Sequence, residues 1–374
     1  MLAITNAIIV MPDHYIPDAT ILVDGEEIVD FGKKVDIPEG AEILDAEGLY
    51  IGPGLIDIHV HADGKHLFYK HPAEASKTLL SHGITSVMPA LYPTNNYVEG
   101  MNRIYKSVEQ GEFKNFLGFY MEGPYINAKY GSNKSKNQWG GPIDIKDYGP
   151  IVDTAGEYAK VWCVAPERDG ILEFVKYAKS VNPNTIFSVA HSEATPAQIE
   201  ALIPYGLKNA THHTNATGTL ECFPECRSVC VDEMVNYRDD IYAEIISDSM
   251  GIHVDPFMQR LILKIKGRDK VILISDGGIA AGEPIKGCEE AFDLSFDVFG
   301  DISGFMKTLD VACANFIKHT GSSICDAFKF ASKNPATLLG ITNIGEIKRG
   351  NISNLILVDH RFNVKKVIFK GEVQ

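Results

Sequence analysis

The sequence predicts an α/β chain: a (β/α)8 TIM barrel with a small β-sandwich built from both chain ends. Apolar runs of strand length alternate with helical patterns eight times between residues 52 and 342. The flanking segments, 1–51 and 343–374, hold only short β-type runs. Side chains able to ligate a metal ion close five of the eight barrel runs. A doubly wound open sheet is the competing fold, but its Gly-rich phosphate turn is absent.

In the N-terminal segment, Ala7-Ile-Ile-Val10, Thr20-Ile-Leu-Val23, Glu27-Ile-Val29 and Glu42-Ile-Leu44 read as strands, with turns at Asp24-Gly25 and Pro38-Glu-Gly40. The C-terminal counterparts are Asn354–Val358, Val364–Phe369 and Gly371-Glu-Val373. Neither set can bury a core alone, so the two ends are expected to pack together.

The first barrel strand is the apolar run Leu55–Ile58, continuing to His61, and the helix near Ala73–His82 stops at Gly83. Thr85–Pro89 with helix Tyr97–Gln110, then Leu117–Glu122, follow as the second and third strands. Val161–Ala165 leads into helix Gly170–Ser180, and Thr185–His191 is the fifth strand. Thr195-Pro196-Ala-Gln198 supplies an N-cap, a proline at N1 and a capping-box glutamine. Asn209–His212 and Tyr242–Ser247, with helix Pro256–Lys266, precede Val271–Ser275, which runs into Asp276. Helices at Asp310–Thr320 and Ser323–Ser332 complete the set before Asn334-Pro335.

Composition narrows the function. Of 374 residues, 45% are hydrophobic and 22% charged, ordinary for a globular protein. The net charge of -14 argues against nucleic-acid or anionic-membrane partners. No apolar run reaches the ~18 residues of a membrane span, and the N-terminus lacks the basic start of a signal peptide. A cytoplasmic protein is expected. Seven cysteines, an odd number, suit reduced thiols. Cys222, Cys226 and Cys230 fit no zinc or iron–sulfur spacing, and read as small buried residues.

Strand ends in a parallel barrel share one mouth. There the chain places His59 and His61, Glu122, His191, His212 and Asp276. His59 and His61 are two apart in a strand, so they share a side. Alone, such a pair is ordinarily two partly exposed histidines; the convergence of five strand ends points to a metal. Imidazoles and a carboxylate suit zinc or a related ion, which lowers the pKa of bound water to about 7. A nearby carboxylate such as Asp276 can move the proton to a departing amine. The chemistry expected is metal-assisted hydrolysis of a C–N bond. No nucleophile elbow or P-loop competes.

These residues resemble the amidohydrolase superfamily, and within it the N-acetylglucosamine-6-phosphate deacetylase family, over essentially the whole chain. The resemblance lies in Pro53-Gly-Leu-Ile-Asp-Ile-His-Val-His61, Met121-Glu-Gly-Pro-Tyr-Ile126, Ala190-His-Ser-Glu-Ala194, Thr211-His-His-Thr-Asn-Ala216, Ile252-His253-Val254 and Leu273-Ile-Ser-Asp276. It implies Glu122, His191 and His212 as metal ligands, His59 and His61 as ligands of a second ion, and Asp276 as the acid/base. One or two zinc ions are implied. So are Asn215 and Ala216 beside the sugar or its phosphate, Arg227 reaching a phosphate across a homodimer interface, and His253 polarising the acetyl carbonyl. A solvated arginine beside Glu225 is the ordinary alternative for Arg227.

The chain departs from the family on the substrate side. Gly131-Ser132-Asn133 replaces Gly-Ala-His, and Thr211-His-His213-Thr214 replaces Thr-His-Leu-Tyr/Phe. Asp-Gly before the His-Val motif is stretched to Asp248-Ser-Met-Gly251, and a small Gly-Ser-rich loop reads Ser303-Gly-Phe305-Met-Lys307. Ser132, Asn133 and Lys307 are therefore candidate substrate contacts. His213 should point away from the site as core. The expected reaction is deacetylation of an N-acetyl amino sugar 6-phosphate. The alternatives are hydrolysis of another C–N bond, in an N-acyl amino acid or cyclic amide, and a silent sugar-phosphate-binding relative.

Overall fold

Short alternating runs at the two chain ends become one hydrogen-bonded sheet in the computed structural model, which describes residues 1–374 apart from 94–95, 133, 219–222, 227, 280–285 and 298. The N-terminal part supplies β1 (Leu2–Val10), β2 (Tyr15–Asp24), β3 (Glu27–Gly32), β4 (Glu42–Asp45) and β5 (Tyr50–Pro53). From there strand and helix alternate: β6 (Leu55–Gly64), α1 (Pro72–Ser81), β7 (Ile84–Leu91), α2 (Tyr97–Glu109), β8 (Phe119–Met121), α3 (Ile145–Ala155), β9 (Ala159–Val164) and α4 (Ile171–Val181). The series continues with β10 (Ile186–Val189), α5 (Pro196–Leu202), β11 (Leu207–Ala210), α6 (Val231–Tyr237), β12 (Tyr242–Ile246), α7 (Pro256–Lys266) and β13 (Val271–Ile274). Next come β14 (Gly277–Ile279), β15 (Leu294–Phe296), β16 (Ile302–Phe305), α8 (Leu309–Thr320), α9 (Ile324–Phe328) and α10 (Asn334–Leu339). The chain ends in β17 (Leu355–Val358), β18 (Val364–Phe369) and β19 (Glu372–Val373).

The terminal strands order as β19-β18-β17-β5-β1-β2-β3, with β4 on β1. β17 pairs antiparallel with β5, so the last strands lock onto the segment that leads into the second sheet. The second sheet has eleven strands, and every neighbouring pair from β6 to β13 is parallel. It curls until the residues after β13 reach β6. There the Asp276 N–H donates to the His59 carbonyl at 2.9 Å, and Gly277 in β14 pairs with Val60. Within that seam the Asp57 carboxylate accepts the Ser275 hydroxyl at 2.5 Å and the Ser275 N–H at 3.3 Å. A side chain thus stands where a ladder bond would run.

Three elements differ from expectation. α3 has no counterpart among the expected elements; it contains Pro150 and is capped by Asp144, whose side chain accepts from Lys146 N. The helix expected to stop at Ser332 continues through a π turn, Lys329–Lys333, into α10, whose second residue is Pro335. Residues 277–305 extend the sheet with β14, β15 and β16. The capping box on α5 is as expected: Thr195 N donates to Gln198 Oε1 at 2.8 Å and Gln198 N to Thr195 Oγ1 at 3.4 Å.

β9 is buried on both faces as Val-Trp-Cys-Val, the pattern of a strand covered by helices. Trp162 meets Phe174 of α4 edge-on at 5.3 Å, and Phe174 in turn meets Tyr125 and Tyr148 of α3. Among the described residues, no helix is long and apolar enough to cross a membrane.

Phe328 of α9 packs against β5 of the terminal sheet. Its ring lies 5.0 Å from that of Phe362, and a Cβ on Gly52 would fall 2.5 Å from it, so only glycine lets β5 pass. Phe328→Ala should lower the unfolding free energy by about 3–5 kcal/mol in a denaturant titration, through the cavity it leaves.

Candidate active site

Turns just beyond the strands carry most of the expected residues, because β8, β10, β11 and β13 end one or two positions earlier than their apolar runs suggest. His191, His212 and Asp276 each take a left-handed backbone, with φ of 43°, 30° and 47°. L-residues adopt this region at a cost, and such strain concentrates at functional sites. Here it turns each side chain away from its strand direction toward a shared centre.

That centre is Glu122. Its Oε1 lies 2.8 Å from His191 Nε2 and 3.2 Å from His212 Nε2, and those two nitrogens are 3.2 Å apart. Its Oε2 lies 3.1 Å from His61 Nε2 and 3.7 Å from His59 Nε2. Two ligand groups result, His59/His61/Glu122 and Glu122/His191/His212, and within each the donor atoms lie within 4.8 Å of one another. Asp276 Oδ1 completes the cluster, 3.3 Å from His61 Nε2 and 3.4 Å from His59 Nε2. The expected sidedness of His59 and His61 is therefore present.

The far ring nitrogens of this pair are occupied. His61 Nδ1 lies 3.1 Å from the Ala90 carbonyl, and His59 Nδ1 lies 3.4 Å from Glu244 Oε2. Pure acceptors at Nδ1 place the proton there and leave Nε2 as a lone pair for a cation. Buried His59 Nε2 and Glu122 Oε2 have no hydrogen-bond partner, as expected of atoms arranged for an ion.

Electrostatics follow from burial and convergence. Burial would raise Glu122, but the His191, His212, His59 and His61 rings gathered around it hold it well below the usual carboxylate range. Asp276 is likewise lowered: burial opposes this, and the His59 and His61 rings prevail. Burial would lower His61, yet Asp276 and Glu122 lift it to about 9. His191 is lowered, chiefly by burial.

A cavity of about 690 Å³ opens over the cluster, within the size range of small-molecule sites. Asn215, Ala216, His253 and Ser132 line it. Ser132 Oγ lies 3.3 Å from Ser303 Oγ, and the Ser132 carbonyl accepts from Tyr92 OH at 3.0 Å. Gly131 lets this loop approach: a Cβ there would fall 2.6 Å from the His191 ring. Lys307 is a correction, for it is exposed and outside the cavity lining, with its ammonium 5.9 Å from the Phe292 ring centre. The cavity is lined instead by Lys134 and Lys136. His213 is buried against Asn236, at 3.1 Å, and takes no place in the site. Asn133, Arg227 and Cys222 lie outside the described residues.

Glu244 and Asp57 escaped the sequence reading. Glu244 is buried within apolar β12 and accepts from Asn209 Nδ2 at 2.6 Å and Tyr120 OH at 2.9 Å, besides facing His59. A carboxylate inside Tyr-Ala-Glu-Ile-Ile was the available signal, since burying one is costly unless donors surround it. Asp57, between Ile56 and Ile58, carries the same signal; burial pushes it up to about 7 despite the Ser275 hydrogen bonds.

Comparison with known proteins agrees with this geometry. The amidohydrolase family profile matches residues 50–373. N-acetylglucosamine-6-phosphate deacetylase of Haemophilus influenzae is 24% identical, over 99% of this chain and 98% of its own. N-acetylgalactosamine-6-phosphate deacetylase of Escherichia coli O157:H7 is 25% identical over 90% of each. The structure of N-acetylglucosamine-6-phosphate deacetylase from Pasteurella multocida superposes with a TM-score of 0.84 at 26% identity, covering 100% of this chain and 99% of that one.

Glu244→Leu should destabilise the protein by at least about 3 kcal/mol in a denaturant melt. It strands the Asn209 amide and Tyr120 hydroxyl without an acceptor.

Proposed function

Since the chain belongs to the amidohydrolase family, we propose that it hydrolyses the acetamide of an N-acetylated amino sugar 6-phosphate, releasing acetate and the amino sugar phosphate. The observation that carries this reading is Glu122, with one carboxylate oxygen toward each histidine pair and Asp276 beside both His59 and His61. Relatives over nearly the whole chain bear the name of that activity. Lys134, paired with Asp301 at 3.4 Å, and Lys136 bring positive charge to the cavity of a strongly acidic protein.

The architecture is read as a (β/α)8 barrel over 52–342, with a β-sandwich from 1–51 and 343–374. The donor set fits one or two divalent ions, with zinc favoured by its imidazole and carboxylate composition. His191 and His212 would hold one ion, His59 and His61 a second, and Glu122 both. Such ions supply Lewis acidity, making water acidic near neutral pH and polarising a carbonyl.

The chain's own groups do the rest. Asp276 takes a proton from the attacking water, whose oxygen bonds to the acetyl carbon. As the C–N bond breaks, Asp276 returns the proton to the amine nitrogen. His253 and Asn215 orient the acetylated sugar from the cavity wall. The same reading includes a cytoplasmic homodimer in which Arg227 reaches a phosphate. The exposed side chains of Phe223, Val229 and Tyr237 offer apolar surface for that contact.

Acetate release should be fastest on 6-phosphorylated N-acetylglucosamine or N-acetylgalactosamine and weak on the unphosphorylated sugars and N-acyl amino acids. Release that ignores the phosphate would favour the other C–N substrates. Asp276→Asn should lower turnover by about 10³-fold or more with metal retained. Metal analysis of supplied protein should find two equivalents; a ceiling of one would remove the His59/His61 ion from the scheme.

A further inference from the structure

Asp248 is fully buried, does not line the cavity and has no part in the proposed reaction, yet its carboxylate is crowded with donors. Oδ1 accepts the N–H groups of Met250 at 3.1 Å and Ile252 at 2.9 Å. Oδ2 accepts the His253 N–H at 2.8 Å and faces the His253 ring at Nδ1, 3.3 Å away. One carboxylate therefore folds the 248–253 turn and grips the ring at its end.

The turn is held from outside as well. Ser249 donates its N–H and its hydroxyl to the two oxygens of Asp293, each at 2.7 Å. Asn215 Nδ2 donates to the His253 carbonyl at 2.6 Å. This is where the chain stretches the Asp-Gly that precedes the His-Val motif.

An ionised carboxylate only accepts. The tautomer with a bare Nδ1 would set a lone pair against Asp248, so the proton belongs on Nδ1. Nε2 is then the ring's remaining polar atom; it is buried without a hydrogen-bond partner, in a residue that lines the cavity. We propose that Asp248 is a positioning residue: it fixes the tautomer and the direction of His253, so that Nε2, an acceptor in this tautomer, is the contact offered to a substrate hydroxyl rather than to its carbonyl oxygen. The proposal rests on the reading of the cavity as the substrate site.

Selective ¹⁵N-histidine labelling of metal-replete wild-type protein should show His253 protonated at Nδ1; a bare Nδ1 overturns the proposal. Asp248→Asn should lower kcat/KM by about 10- to 100-fold on whichever N-acyl substrate the wild type turns over, with metal content unchanged and a lowered melting temperature, because the amide nitrogen cannot accept a backbone N–H. In a His253→Ala background the same change should cost nothing further, whereas additive losses would mean that Asp248 acts elsewhere. Should Asp248→Asn fail to fold, the wild-type nitrogen signals decide alone. A wild type that releases acetate from no substrate defeats the deacetylase reading, and the nitrogen signals still judge Asp248.

Discussion

Everything at the rim is arranged around one buried carboxylate. Glu122 presents two oxygens to four imidazoles and stays ionised in a place where burial alone would neutralise it. That arrangement is tolerable only if the rings are fixed, because a carboxylate and imidazoles packed at 2.8 to 3.7 Å have many poorer geometries available. The surrounding structure supplies the fixing: Ala90 and Glu244 hold the far nitrogens of His61 and His59, and the His59 ring stacks on Tyr120 at 4.3 Å.

The backbone carries part of the cost. His191, His212 and Asp276 sit in left-handed conformations that isolated L-residues avoid. Parallel strands on either side hold the turns in place, and the Asp57–Ser275 bonds tie the last strand to the first at the level of Asp276. Placement of Asp276 near His59 and His61 thus depends on the seam where the sheet curls onto itself. A site built on strand ends inherits the rigidity of the sheet, which suits chemistry that needs fixed distances.

The two sides of the cavity differ in character. Metal-competent residues stand at the ends of the parallel strands, whereas the opposite wall of the cavity is closed by contacts between segments far apart in the chain, Ser132 with Ser303 at 3.3 Å and Lys134 with Asp301 at 3.4 Å.

The sequence alone determined the alternation of strands and helices, the capping box at Thr195, the shared side of His59 and His61, and the identities of the residues gathered at the rim. Each is written in local spacing, which a reader of one stretch can see. Tertiary structure decided the rest: that Glu122 is shared by two histidine pairs, that Glu244 braces His59 from 185 residues away, and that Lys134 and Lys136 rather than Lys307 face the cavity. It also decided that 277–305 adds strands and that α3 forms despite Pro150. The reason is physical. Local periodicity reports which face of an element is apolar, while contacts between elements depend on how a parallel sheet curls and on where its loops settle, and neither leaves a mark at fixed spacing along the chain.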